Sequence, residues 1–303
     1  MINCHNGSVR SWVIVGPVHS LKDMATQLPD GLGIVCHLPR ADPRDAFVSA
    51  RAKRLLDLPQ GAMVGSSALR RQAQILRARP DLRVVPLRGN VETRLGKVSD
   101  GKVDATLLAL AGLARLGLED RITEILSTDL MLPAPAQGTI AVEARAGDDR
   151  VLRYLAPLDD SATAARSAAE RALLAALDGS CRTPIAALAE IESAGRLRLQ
   201  ARIIRPDGTQ CHEARLSGAI ADAARIGREI QGVGRRIHHG EGERPVHLLD
   251  RGQGRRTGAG SQLAEGVDRG SGDRQDEGRQ NGGSTGWHRP RNVHQLSAQR
   301  QFS

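Results

Sequence analysis

The chain has 303 residues, of which 40% are hydrophobic and only 2% aromatic, and its formal net charge is +9. This length allows two or three domains of ordinary size, with cores built from aliphatic side chains. The positive charge makes nucleic acid a first candidate partner, but the scarcity of aromatic rings argues against base stacking, so we expect no nucleic-acid partner.

The cysteines are too far apart in sequence for a zinc site of the C-x-x-C type, so we expect no bound metal. They are Cys4, Cys36, Cys181 and Cys211. We recognise no signal peptide and no apolar run long enough to cross a bilayer. We therefore expect a cytoplasmic protein with reduced thiols and no membrane partner.

In the N-terminal part, residues 12–18 and 32–38 are predicted to form short apolar strands. The first leads into a polar cluster, HSLKDM at 19–24, at a strand-to-helix junction where α/β proteins often bind ligands. Taken alone, Asp23 is better explained as a turn or helix-cap carboxylate. Residues 41–45 form a polar connector, near which we expect a domain hinge.

From residue 45 to about 132, predicted strands alternate with predicted helices, which favours a mainly parallel sheet covered by helices. The strands are expected at 62–64, 83–87 and 105–109. Ser66 or Ser67 is expected to cap the first helix, whose apolar stripe is Leu69, Ala73 and Leu76. The other helices are expected to begin near Val91 and Ala111.

Arginines crowd two of these predicted helix starts. Arg70 and Arg71 lie in the first turn of one helix, and Arg88 and Arg94 flank the start of the next. The helix dipole is already positive there, so guanidinium groups are unfavourable unless an anion neutralises them. The pattern predicts a pocket for carboxylates or phosphates, and a solvated basic face is the alternative for any single arginine.

After a stiff connector at 132–138, the strand predicted at 139–143 is expected to return to the sheet begun by the N-terminal strands. A small α+β domain follows. Its expected elements are a helix capped by Ser161 and ending near Leu177, strands at 185–189, 197–204 and 211–216, and a helix at 220–230. Beyond about residue 232 the apolar pattern disappears, which predicts disorder, with a basic nucleic-acid-binding tail as the alternative.

These elements suggest three domains and a tail. Residues 11–40 and 139–157 would form what is present of a discontinuous first domain, and residues 41–138 an α/β second domain with hinges at both ends. Residues 158–235 would form the α+β third domain, and residues 236–303 the disordered tail.

Three motifs, in this order and at these separations, resemble the porphobilinogen deaminase (hydroxymethylbilane synthase) family over residues 18–230. They are VHSLKDM at 18–24, SSALRRQ with RGNVETR at 66–94, and GSCRTPI at 179–185, supported by ADPRDAF at 41–47 and LAGLARLGL at 110–118. The resemblance implies an α/β fold with two domains like type II periplasmic binding proteins, the first incomplete, plus the α+β domain. It also implies a transferase that joins four porphobilinogen units into hydroxymethylbilane and releases ammonia.

The resemblance further implies a dipyrromethane cofactor held by a thioether to Cys181, although from the sequence alone an inert cysteine is the safer interpretation. Asp23 matches the catalytic aspartate, whose carboxylate can stabilise positive charge on pyrrole nitrogen and help to move protons. The residues matched to carboxylate binding are Arg70, Arg71, Arg88, Arg94 and Arg115, with Lys22, Ser67 and Gln137 assigned to the same cleft.

The chain also departs from the family pattern. Residues 1–16 do not resemble the family's first strand, its mobile basic loop or its Lys-Gly-x-Phe helix, and the stretch after 232 does not resemble the family's end. We therefore expect a truncated or frame-displaced, monomeric chain. The alternative function is a non-catalytic anion-binding module with a similar cleft and no cofactor.

Overall fold

The computed structural model describes residues 16–177, 183–192 and 195–237. All of them belong to one compact unit. The strands are β1 (Val18–Ser20), β2 (Leu32–His37), β3 (Asp45–Ser49), β4 (Met63–Gly65), β5 (Arg83–Val85), β6 (Ala105–Ala109), β7 (Glu124–Ile125), β8 (Ile140–Arg145), β9 (Ile185–Ile191), β10 (Arg196–Ile204) and β11 (Cys211–Ala219). The helices are α1 (Leu69–Ala78), α2 (Val91–Ser99), α3 (Leu110–Arg115), α4 (Asp149–Leu155), α5 (Ser161–Ala176) and α6 (Ala223–Ile237). No helix in this part of the chain is long and apolar enough to span a membrane.

The largest sheet has five strands in the order β5-β4-β6-β3-β7. β4 is parallel to β5 and β6, whereas β3 is antiparallel to β6 and β7. The prediction of a mainly parallel sheet was therefore wrong, because β3 was not recognised as a strand. Its first residue, Asp45, is a carboxylate that follows the polar connector, although Phe47 within β3 is fully buried.

A smaller antiparallel sheet has the order β1-β8-β2. β8 pairs with β1 through Val18 and Val142, and with β2 through Leu32 and Arg145. This confirms that the strand after the second connector returns to the N-terminal strands. The first of these strands lies later than predicted, at Val18–Ser20, and residues 12–15 lie outside the described residues.

The third sheet is antiparallel, in the order β11-β10-β9, and α5 and α6 cover one of its faces. Gly227 lets the two helices approach closely, since a Cβ there would lie 2.1 Å from the carbonyl oxygen of Ala169. Asp160, not the predicted Ser161, caps α5, because its Oδ1 accepts from Thr163 N at 2.6 Å. These elements confirm the α/β and α+β classes. Helix α6 continues to Ile237, past the predicted start of the disordered tail at residue 236, and the rest of that tail lies outside the described residues.

Candidate active site

A single turn of 3-10 helix, Leu21–Asp23, follows β1 and carries two of the predicted site residues. Leu21 anchors the turn, because its side chain is fully buried and its backbone N–H donates to Thr139 O at 3.0 Å. The side chain of Lys22 is half-buried and that of Asp23 is exposed. The turn therefore places an ammonium and a carboxylate side by side beside the connector that leads into β8.

Helix α1 begins at Leu69 with Ala68 as its N-cap and without a side-chain cap, so the predicted serine cap was wrong. Ser66 Oγ accepts from Ala68 N at 3.2 Å instead. Ser67 Oγ bonds to both backbone groups of Leu87, which ties the helix start to the segment after β5. The apolar stripe was only partly correct, because Ala73 is buried whereas Leu69 and Leu76 are half-buried. The buried side chains of α1 are Arg70, Arg71, Ala73, Gln74 and Ile75.

Arg70 and Arg71 share a buried carboxylate that belongs to the chain itself. Each donates to Asp45 from Nη2 at 2.8 Å, and the three side chains are 6%, 8% and 0% exposed respectively. Burial alone would raise the pKa of Asp45, but the two guanidinium groups outweigh it and hold that pKa well below its usual range. One negative charge therefore offsets two positive charges, and a net positive charge remains at the start of α1.

Most of the predicted site residues line one cavity of about 350 Å³. The predicted residues in its wall are Lys22, Asp23, Ser67, Arg70, Arg71, Arg94 and Gln137. Further wall comes from Leu174 on α5 and from Thr183 and Ile185. Thr183 follows Cys181 by two positions, but Cys181 itself lies outside the described residues. The residues that line the cavity therefore come from three parts of the chain, each of which contributes strands to a different sheet.

The cavity is electropositive, because its wall contains four cations and one carboxylate, Asp23, while the second carboxylate, Asp45, is buried behind the wall. Burial, with a further contribution from Arg71, lowers the pKa of Lys22 to about 8, although Asp23 and Asp45 act in the opposite direction. Burial and Arg71 also lower the pKa of Arg94. Among the described residues, Arg71 Nε is buried without a hydrogen-bond partner. A ligand with several carboxylates would relieve both the excess charge and this unused donor.

Two of the predicted arginines do not line this cavity. Arg88 is exposed, and its carbonyl oxygen accepts from Lys97 Nζ at 2.9 Å. Arg115 donates from Nη2 to Gly138 O at 2.9 Å, so it supports the connector before β8. Within the described residues, neither guanidinium group lies in the wall of this cavity.

Sequence reasoning missed the buried acids that organise the site. Asp45 lies within the quoted ADPRDAF motif, yet its role as partner of Arg70 and Arg71 was not predicted. Glu170 on α5 was also missed, although it is fully buried and bonded to Arg40. A carboxylate at an otherwise apolar position was the available signal in both cases, because buried acids need partners.

Two family models match the chain. Residues 14–153 match "Porphobilinogen deaminase, dipyromethane cofactor binding domain", and residues 164–232 match "Porphobilinogen deaminase, C-terminal domain". Curated porphobilinogen deaminases of Nitrobacter hamburgensis and Paracoccus denitrificans are each 54% identical over 70% of this chain, which covers 67% and 68% of their lengths. A periplasmic substrate-binding protein of an ABC transporter from Coxiella burnetii matches 46% of this chain and 67% of its own at 15% identity. Its TM-score of 0.31 is too low to carry an argument.

Proposed function

The chain belongs to the porphobilinogen deaminase family, and from that premise we infer that it joins porphobilinogen units head to tail into hydroxymethylbilane, releasing ammonia. We place this reaction in the cavity whose wall contains Asp23, Lys22 and the arginines of α1 and α2, and this cavity is the observation that supports the placement. A substrate that bears carboxylates and reacts through a cationic pyrrole needs both features.

The family's dipyrromethane cofactor fits the donor groups of this cavity. Its carboxylates match the net positive charge of the wall and the unused Arg71 Nε. We assign Arg71 to these carboxylates. We assign Cys181 to the thioether, and this is supported by Thr183 and Ile185, which line the same cavity. When bound, the cofactor supplies the pyrrole carbon to which the first substrate unit is joined.

We assign different roles to the side chains of the cavity. Asp23 is exposed at the cavity, where its carboxylate can accept a pyrrole N–H, stabilise positive charge on the ring and take up a proton. Arg94 and Lys22 bind the acid side chains of the substrate and thereby orient it. Asp45 acts behind the wall, and Gln137 in the wall supports it. Gln137 Nε2 donates to Asp45 Oδ1 at 2.9 Å, which fixes the carboxylate between the two arginines.

The test is the mass of the denatured, purified chain. The wild type should carry the added mass of dipyrromethane, Cys181→Ser should lose it, and Cys211→Ser, at a half-buried thiol of β11, should retain it. Asp23→Asn should keep the cofactor mass and lose turnover of porphobilinogen. An unmodified wild-type chain would favour the alternative of a non-catalytic anion-binding module.

The cytoplasmic location, the monomeric state and the absence of nucleic-acid partners stay predictions from the sequence.

A further inference from the structure

Arg171 of α5 holds the segment that directly follows Asp23. Its Nη2 donates to Ala25 O at 2.6 Å and to Thr26 O at 3.4 Å, and its Nη1 donates to Met24 O at 3.3 Å. Three consecutive carbonyl oxygens therefore converge on one guanidinium. Within the described part of the chain, this guanidinium donates to these neutral oxygens, and burial lowers the pKa of Arg171.

The held segment has few backbone hydrogen bonds of its own. No helix or strand is present between residue 24 and β2, and the 3-10 turn that carries Asp23 is a single turn. On its upstream side the turn is anchored by the bond from Leu21 N to Thr139 O. On its downstream side Met24 packs against Leu21 and Ala136, and the next hydrogen bonds are those donated by Arg171. The Asp23 carboxylate thus lies between two anchors, one on the connector before β8 and the other on α5.

Helix α5 is a rigid element that also forms part of the cavity. Leu174, three residues beyond Arg171, lies in the cavity wall, and Glu170 bonds to the backbone of Ala136. Helix α5 therefore links the backbone after Asp23 to one part of the cavity wall and is one of the two elements that set the place of Asp23. An error of about 1 Å in that place can reduce a reaction rate about 100-fold.

We propose that Arg171 is a positioning residue, which holds the backbone after Asp23 and so sets the place of its carboxylate in the cavity. This proposal rests on the function proposed for Asp23. A guanidinium suits the task because its donors diverge in one plane and can reach several carbonyl oxygens at once.

The first test compares Arg171→Met, Arg171→Lys and the control Arg166→Met, all in the full chain with its cofactor. Arg166 lies on the same helix, half-buried, outside the cavity that contains Asp23. We expect Arg171→Met to lower kcat at least 10-fold, with KM for porphobilinogen and the cofactor mass almost unchanged. Arg171→Lys should lie between it and the wild type, and Arg166→Met should stay within twofold of the wild type.

The second test measures hydrogen exchange of backbone amides in residues 21–27, because a buried Arg→Met change can also destabilise the whole chain. Exchange there should be faster in Arg171→Met than in Arg166→Met, while exchange in β9–β11 stays the same. Unchanged exchange at 21–27, or activity that falls only in proportion to cofactor mass, would overturn the proposal. If Asp23→Asn is inactive and Arg171→Met has wild-type kcat, this proposal alone fails. If Asp23→Asn turns over normally, the function proposed for Asp23 fails as well.

Discussion

Arg40 and Glu170 form a buried ion pair at the junction of the three sheets. Arg40 Nη1 and Nη2 donate to the two carboxylate oxygens at 2.7 and 3.0 Å, and the side chains are 3% and 0% exposed. The same carboxylate accepts from Ala136 N at 2.5 Å and from Ala189 N at 2.7 Å. It therefore joins both connectors of the α/β part to β9. Ala136 has a φ of 60°, a left-handed conformation that is strained for alanine and is fixed here by this bond.

We predict that Glu170→Gln strongly destabilises the fold. The change leaves Arg40 as a buried charge without a counter-charge, and it turns one acceptor toward backbone N–H groups into a donor. Breaking one side of a buried ion pair costs about 3–5 kcal/mol in the free energy of unfolding. Urea denaturation of the full chain measures the loss.

Glu190→Gln is the matched control for this prediction. Glu190 lies on β9 and also pairs with an arginine, Arg198, but the two side chains are 51% and 44% exposed. Such exposed pairs contribute about 0.2–1 kcal/mol, so the urea midpoint should hardly move. Equal effects of the two substitutions would contradict the importance given to the buried pair.

Local signals in the sequence predicted the elements that depend on local physics. Helix α2 begins at Val91 because Asn90 Oδ1 accepts from Thr93 N at 2.8 Å, and Leu95 and Val98 are buried as their spacing predicts. The strands of the third sheet also lie close to their predicted positions. The pairing of β8 with β1 and β2 was also expected, because the backbone groups of a strand that follows a connector need hydrogen-bond partners on other strands.

Long-range pairing of charges could not be predicted in the same way. The arginines of α1 indicated an anion, but nothing local shows that Asp45, 25 residues before Arg70, supplies one of the negative charges. Likewise, the sequence cannot separate Arg94, in the cavity wall, from Arg88, which is exposed. The two differ by how far each side chain reaches around the start of α2, and this depends on packing.

We predict that Asp45→Asn destabilises the chain by about 3 kcal/mol or more, because it leaves two buried guanidinium groups without a counter-charge. The folded-state pKa of Asp45 is depressed, so its contribution to stability is present above the unfolded-state pKa near 3.8 and is lost only as the pH falls toward the folded-state value. Asp42→Asn, at a partly exposed pair with Arg44, should cost less than about 1 kcal/mol. Comparable urea midpoints for the two variants would refute this prediction.

We predict that substrate binding weakens above a pH of about 8 through Lys22. Its pKa is lowered from 10.5 to about 8, and bound carboxylates favour the protonated form, so binding takes up a proton once Lys22 is neutral. In the ligand-free protein, the effect of Lys22 on folding stability depends on pH in the opposite direction. Between pH 8 and 10.5 the unfolded chain holds the extra proton, and stability rises with pH through this group. The measurement is KM for porphobilinogen from pH 7 to 9.5 in the wild type and in Lys22→Arg, whose charge persists. Parallel pH profiles would exclude Lys22 as the source.

Arg94 and Arg88 give a matched pair on either side of the start of α2. Arg94 lines the cavity, and its Nε donates to Gly89 O at 2.8 Å, whereas Arg88 is exposed. Among the described residues, the terminal nitrogens of Arg94 have no hydrogen-bond partner. A charge-assisted bond to a carboxylate contributes about 1.5–3 kcal/mol. We therefore predict that Arg94→Met raises KM for porphobilinogen about 10-fold or more, and that Arg88→Met changes it less than about twofold. The measurement is KM for porphobilinogen, from steady-state kinetics of the two variants at equal cofactor mass. A larger effect at Arg88 would mean that substrate binds outside this cavity.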